Sequence, residues 1–182
     1  MICTGAWTDA LARWLSLDPT PRLDWLPAGR VPIEPVRGQS LELRPASPAI
    51  PSVLKGRDVY LVPRRDGGIV VGATEERVGF DASTTEAGLA GLRDAAVALV
   101  PELARAETVR AWAGLRPASP DGLPLVGPAP GIDGLWLAAG HTRNGILLAP
   151  LTAEWIADGI AGRPLPEEAE SLRPERFAPT SA

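Results

Sequence analysis

Apolar and polar positions follow two periods along this chain, and each predicts its own elements. In DVYLVPRRDGGIVVGAT, Val59 to Pro63 and Ile69 to Ala73 read as strands joined by a turn at Arg64 to Gly68, a hairpin. PVRGQSLEL, with Val36, Gln39 and Leu41, predicts another strand, as do TVRAWAGLRP and the glycine-bounded run GLWLAAG. Met1 to Gly5 reads as the end of a buried strand and is expected to lack a partner strand within the chain. Helical spacing takes over at Leu11, Trp14 and Leu15, predicting a helix from about Ala6 to Leu17. A second helix runs to about Val100 with Leu89, Leu92, Ala96 and Leu99 as its buried stripe. A capping box over Ser83-Thr84-Thr85-Glu86 opens it and Pro101 ends it. A third spans Gly145 to about Ile160, with Ile146, Leu147, Ala153 and Ile156 on related faces and Pro150 one turn in. Asp18 to Pro35 reads as a Pro- and Arg-rich connection, and GRPLPEEAESLRPERFAPTSA as a surface tail with a loose end. Strands and helices are mixed, with hairpins, so the fold class is α+β.

Composition narrows the functional classes. A net charge of −4 without a basic run argues against a nucleic-acid partner. No apolar stretch reaches the roughly 18 residues of a membrane span. MICTGAW has neither the basic start nor the apolar core of a secretory signal, which favours a cytoplasmic protein. One cysteine, Cys3, excludes an intrachain disulfide and a Cys-based zinc site, so no metal is expected.

The chemistry concentrates between Trp112 and Pro150, where Arg116 and Arg143 stand at the ends of apolar strand-like runs. Arginine is costly to bury alone, and its planar fork matches a carboxylate bidentately. Two of them among Gly and Pro turns suggest a pocket for a small anion. Nowhere does a strand lead through G-x-G-x-x-G into a helix, the device that cradles a pyrophosphate; DGGIVVG has the wrong spacing.

TGAW, PVRGQ, DVYLVPRRDGGIVVGAT, WAGLRPASPDGLPLVGP and GHTRNGILLAP occur in the order found in the D-amino-acid oxidase family of FAD-dependent oxidoreductases. The chain closely resembles the C-terminal half of such enzymes, in particular the glycine oxidases of thiamine biosynthesis. The resemblance implies a substrate-binding domain with a mixed, largely antiparallel sheet and flanking helices. The last strand and the C-terminal helix of an FAD-binding, Rossmann-like domain accompany it. It divides the chain into a remnant of the FAD-binding domain (1–30), the substrate-binding domain (31–118), a return to the FAD-binding domain (119–164) and a C-terminal tail (165–182). It also implies FAD as cofactor, a small amino acid and O2 as reactants, a missing N-terminal nucleotide-binding half, and a homo-oligomer when full-length. An internal or artificial start and a naturally short protein are both open.

Residue by residue, the resemblance gives Arg116 the ion pair with the substrate carboxylate and Tyr60 a hydroxyl donated to the same group. Arg143 sits near substrate and flavin. Thr4 and Gly5 lie where the backbone approaches the cofactor, and His141, Asn144, Gly145, Ile146 and Leu147 form its other wall. A helix N-terminus stabilises an anion, here reduced flavin, by about 0.3–2 kcal/mol. No residue is assigned as a catalytic acid or base. Glu75 replaces an apolar pocket side chain of some relatives, and Asp58 stands two before Tyr60, so glycine, sarcosine and small D-amino acids all stay open. A sarcosine oxidase-like demethylase is one rival, although Cys3 is badly placed for a covalent flavin. A flavin-free domain that binds small carboxylates or a partner, with no activity of its own, is the other.

Overall fold

The computed structural model describes residues 1–15, 30–47 and 50–178, and for Trp14 and Leu15 only the backbone. The expected extension of the first helix to Leu17, most of the Asp18–Pro35 connection and the last four residues lie outside the described residues. The chain forms two compact units: Val36–Leu115, and Met1–Pro35 with Arg116–Ala182. The resemblance set boundaries near 31 and 118; the observed divisions fall at Val36 and Arg116.

The Val36–Leu115 unit is built on a five-stranded sheet. Its strands are β1 (Glu34–Arg44), β2 (Leu54–Lys55), β3 (Tyr60–Pro63), β4 (Ile69–Gly72) and β5 (Glu107–Ala118), in the order β2-β3-β4-β1-β5. The first and last of these carry the chain between the units. β3 and β4 are the expected hairpin, with Leu61 opposite Val71 and Tyr60 opposite Gly72; β1 pairs antiparallel on the other edge of β4, with Leu41 opposite Val71. Because side chains alternate across a strand, one face carries Leu41, Leu43, Leu61, Ile69 and Val71. These residues are 0–2% exposed and pack on Leu92 and Ala96 of α2 (Glu86–Leu99) and on Leu103 of the following 3-10 turn.

Two details differ from expectation. The cap of α2 is Thr85, whose hydroxyl accepts from Gly88 N–H, while Ser83 N–H donates to Asp81 in a tight turn. The shift follows from Gln39, whose side-chain oxygen accepts from Thr85 N–H at 2.7 Å and sets where the helix begins. Leu99 belongs to no buried stripe. It is 39% exposed, and its tip occupies the space a side chain at Gly56 would need.

In the other unit, Gly5–Trp7 form a 3-10 turn leading into α1 (Thr8–Leu15). The expected lack of a partner for Met1 to Gly5 is corrected. Ile2 bridges Leu137 in parallel, donating to Trp136 C=O at 2.7 Å and accepting from Ala138 N–H at 3.0 Å. That partner is β7 (Trp136–Ala139), which pairs antiparallel with β6 (Leu125–Pro128). Ile2, Ala12, Val31, Ile33, Leu125, Leu137 and Ala139 form the core. α3 (Gly145–Ile160) matches its predicted span and contains Pro150. The tail is not loose through residue 178. α4 (Glu167–Glu170) buries Ala169, Val126 N–H donates to Leu172 C=O, and Arg176 pairs with Asp121. Pro174 seats on Gly127, its Cδ 3.1 Å from where a side chain there would begin.

Candidate functional site

Within the unit holding both termini, one face of α3 along its length, together with Met1 and Cys3, borders an apolar cleft of about 490 Å³. Met1, Cys3, Ala138, His141, Gly145, Ala149, Thr152 and Ile156 are among the residues lining it. Gly145, Ala149, Thr152 and Ala153 line it from the earlier turns of α3, and Ile156 and Ile160 from the later ones. His141 Nε2 lies 3.0 Å from Thr152 Oγ1, and partial burial holds the imidazole below its ordinary pKa. The ring is therefore neutral around neutral pH, a wall residue rather than a charge. Thr152 is 9% exposed and absent from the sequence-based set; it stands seven residues after Gly145 on the same helical face, the signal that could have found it.

The helix opens without a side-chain cap from Asn144, so the amides of its first turn stay available to another acceptor. Ile146 and Leu147 are 96% and 79% exposed at this end. Gly5 has φ 57°, and a side chain added there would meet nothing within 4 Å. Thr4 closes the 3-10 turn by accepting from Trp7 N–H, and its hydroxyl lies 3.5 Å from that of Thr8.

The two sequence-selected arginines of this unit come together through the backbone. Ala118 bridges His141 in antiparallel fashion and Thr142 N–H donates to Pro117 C=O at 2.9 Å. Arg116 and Arg143 each stand just beyond that contact. Thr142, with φ 50°, turns the chain between His141 and Arg143; it is the one positive-φ residue other than glycine among the described residues. A β-branched side chain there is strained, and such strain concentrates where a turn is needed for more than packing.

Tyr60 belongs to the sheet unit. It projects from the face opposite the core, 38% exposed, with Ser40 and Gly72 in its cross-strand row. Beyond β4 the chain is held by a polar cluster that sequence reasoning did not assemble. Arg37, itself 4% exposed, pairs with Glu76 at 2.5 Å and with Asp81 at 2.6 Å. Gln39 Nε2 donates to Glu76 at 2.8 Å and to Thr85 Oγ1 at 3.0 Å, and Thr74 Oγ1 donates to Glu76. The Thr74 hydroxyl and then Arg37 hold the Glu76 carboxyl down to about 2. Hydrogen bonds from Ser83, with Arg37 adding to them, lower Asp81 too. Glu75, between two inward-braced neighbours, is exposed, and Asp58 is exposed as well.

The family described as DAO, FAD dependent oxidoreductase, matches residues 1–159. The glycine oxidase of Pseudomonas aeruginosa is 41% identical over 163 residues, which is 90% of this chain and 42% of that protein. A bifunctional protein ThiO/ThiG from Nostoc sp. is 44% identical over 164 residues, 88% of this chain and 22% of its own length. The crystal structure of glycine oxidase from Geobacillus kaustophilus superposes with a TM-score of 0.81 at 30% identity, covering 98% of this chain and 44% of that one. The chain thus spans less than half the length of these relatives.

Proposed function

The chain belongs to the DAO family of FAD-dependent oxidoreductases, and on that footing we propose that it supplies the substrate side of a glycine oxidase-like enzyme. In the complete protein the reaction is oxidative deamination of glycine, or of a small D- or N-methyl amino acid. Water and O2 are consumed, and a 2-oxo acid, ammonia (methylamine from an N-methyl substrate) and hydrogen peroxide are released. The similarity to a bifunctional ThiO/ThiG protein supports a place for this oxidation in thiamine biosynthesis, as a source for the thiazole; a cytoplasmic location is part of the same proposal. An N-terminal nucleotide-binding half, which this sequence does not contain as a G-x-G-x-x-G unit, completes the enzyme, and the full-length protein self-associates.

The observation that carries this reading is the pairing of Ala118 with His141, which brings Arg116 and Arg143 onto neighbouring stretches ahead of an uncapped helix. Arginines on neighbouring backbone stretches, beside the first-turn amides of α3, suit an α-amino acid carboxylate next to an electron-rich ring. FAD fits the residues present: the open space at Gly5, the uncapped first turn of α3 and the apolar cleft at His141 match a flat, partly anionic ring. Thr4, Gly5, His141, Asn144, Gly145, Ile146 and Leu147 would hold it, with Arg143 reaching both ring and substrate. Bound FAD supplies the two-electron acceptor for the C–N bond. The protein's task is orientation: Arg116 clamps the carboxylate bidentately, Tyr60 donates its hydroxyl to the same group, and the apolar wall excludes water.

The 182-residue chain alone is expected to purify without tightly held flavin, because the pyrophosphate cradle is not part of it. Joined to a nucleotide-binding half from a close relative, it is expected to bind FAD stoichiometrically, read from visible absorbance, and to release peroxide from glycine. Failure of the joined protein to gain flavin would overturn the proposal in favour of a flavin-free carboxylate-binding domain.

A further inference from the structure

Gly72 sits directly opposite Tyr60 in the β3–β4 ladder and opposite Ser40 in the β1–β4 ladder. A methyl group at position 72 would overlap Tyr60 Cζ and Oη and fall 2.8 Å from Cε2. The phenol end, not the ring's base, therefore rests on the glycine, and the ring lies across β4. The backbone at Gly72 is outside the left-handed region, so an L side chain is excluded by the ring alone. An aromatic ring laid over a cross-strand glycine is a packing unit in which each residue fixes the other.

We infer that Gly72 is a positioning residue for Tyr60: its missing side chain sets the height and direction of the phenol hydroxyl over the open face of the sheet. This rests on the reading of Tyr60 as a donor to the substrate carboxylate. With alanine at 72 the ring must lift or rotate, and the hydroxyl leaves the position from which it donates.

Tyr60 is the only tyrosine, so 3-fluorotyrosine labels this chain at one site and gives one fluorine resonance. Gly72→Ala should move that resonance while leaving the circular dichroism of the chain intact. Should Gly72→Ala prevent folding, adding Tyr60→Leu should restore it, because the shorter side chain vacates the space. In the joined enzyme, Gly72→Ala should raise KM for glycine about tenfold with kcat nearly unchanged, the loss of one neutral hydrogen bond. Tyr60→Phe should do the same, and the double variant should be no worse than Tyr60→Phe alone. Additive losses, an unmoved resonance, or an unfolded Gly72→Ala that Tyr60→Leu does not rescue each overturn the positioning role. If the resonance moves but neither Tyr60→Phe nor Gly72→Ala changes KM, the carboxylate reading of Tyr60 falls, and the positioning role falls with it.

Discussion

Replacing Arg116 with alanine in the joined enzyme is expected to lower kcat/KM for glycine by a factor of about 10²–10³, mostly through KM. Arg116 is half-buried at the point where β5 passes from one unit to the other, followed by Pro117 and by Ala118, which is locked to His141. Its guanidinium therefore starts from a fixed backbone, and a bidentate charge-assisted pair loses little entropy when it forms. Tyr60→Phe removes one neutral donor and should cost only about tenfold. The order matters more than the sizes. Steady-state kinetics on glycine and on an amine without a carboxylate test it. An Arg116→Ala enzyme with near-normal KM for glycine, oxidising the plain amine equally well, would falsify the anion-pocket assignment.

The largest loss of stability is expected from Gln39→Leu, an apolar change of similar size. Gln39 is fully buried, and its amide serves Thr85 N–H, Thr85 Oγ1 and Glu76 at once. The leucine strands the first N–H of α2's cap and takes a donor from a carboxylate, each costing about 1–3 kcal/mol, so about 3 kcal/mol in all. Denaturant unfolding of the 182-residue chain measures it. The pH dependence has a defined sign. Glu76 is held at about 2, below its ordinary value of 4.5, so it binds protons more weakly folded than unfolded. Its stabilisation is full above the ordinary value and disappears as pH falls from there toward about 2. Removing Gln39 raises the folded value and narrows that window from below. A Gln39→Leu chain with an unchanged midpoint and an unchanged acid limb would show the cluster to be incidental.

What the sequence made legible was local. Alternation in DVYLVPRRDGGIVVGAT and helical spacing after Gly145 gave β3, β4 and α3 nearly to the residue, because neighbours along the chain decide those elements. What escaped was decided across the chain. The cap of α2 moved from Ser83 to Thr85 because Gln39, far back in β1, grips it. The strand β6 lies in a run of Pro and Gly where the spacing predicts no element, and Val126 N–H donates to Leu172 C=O in a segment that reads as tail. For the candidate site, Arg116 and Arg143 were visible as chemistry on short turns. Thr152 and Gly72 were not, since each takes its meaning from the side chain it faces.

The bridge between Ile2 and Leu137 also bears on how the molecule assembles. The chain between them includes a whole unit, Val36–Leu115, with its own core. During synthesis that inner unit can collapse as soon as it emerges, while the Ile2 segment waits for β7, which is not yet made. Closing so long a loop is entropically unfavourable until the inner unit has folded and shortened it. The Ile2 segment thus finds its place after the inner unit although it precedes that unit along the chain, and during that interval its apolar residues are what a chaperone would meet.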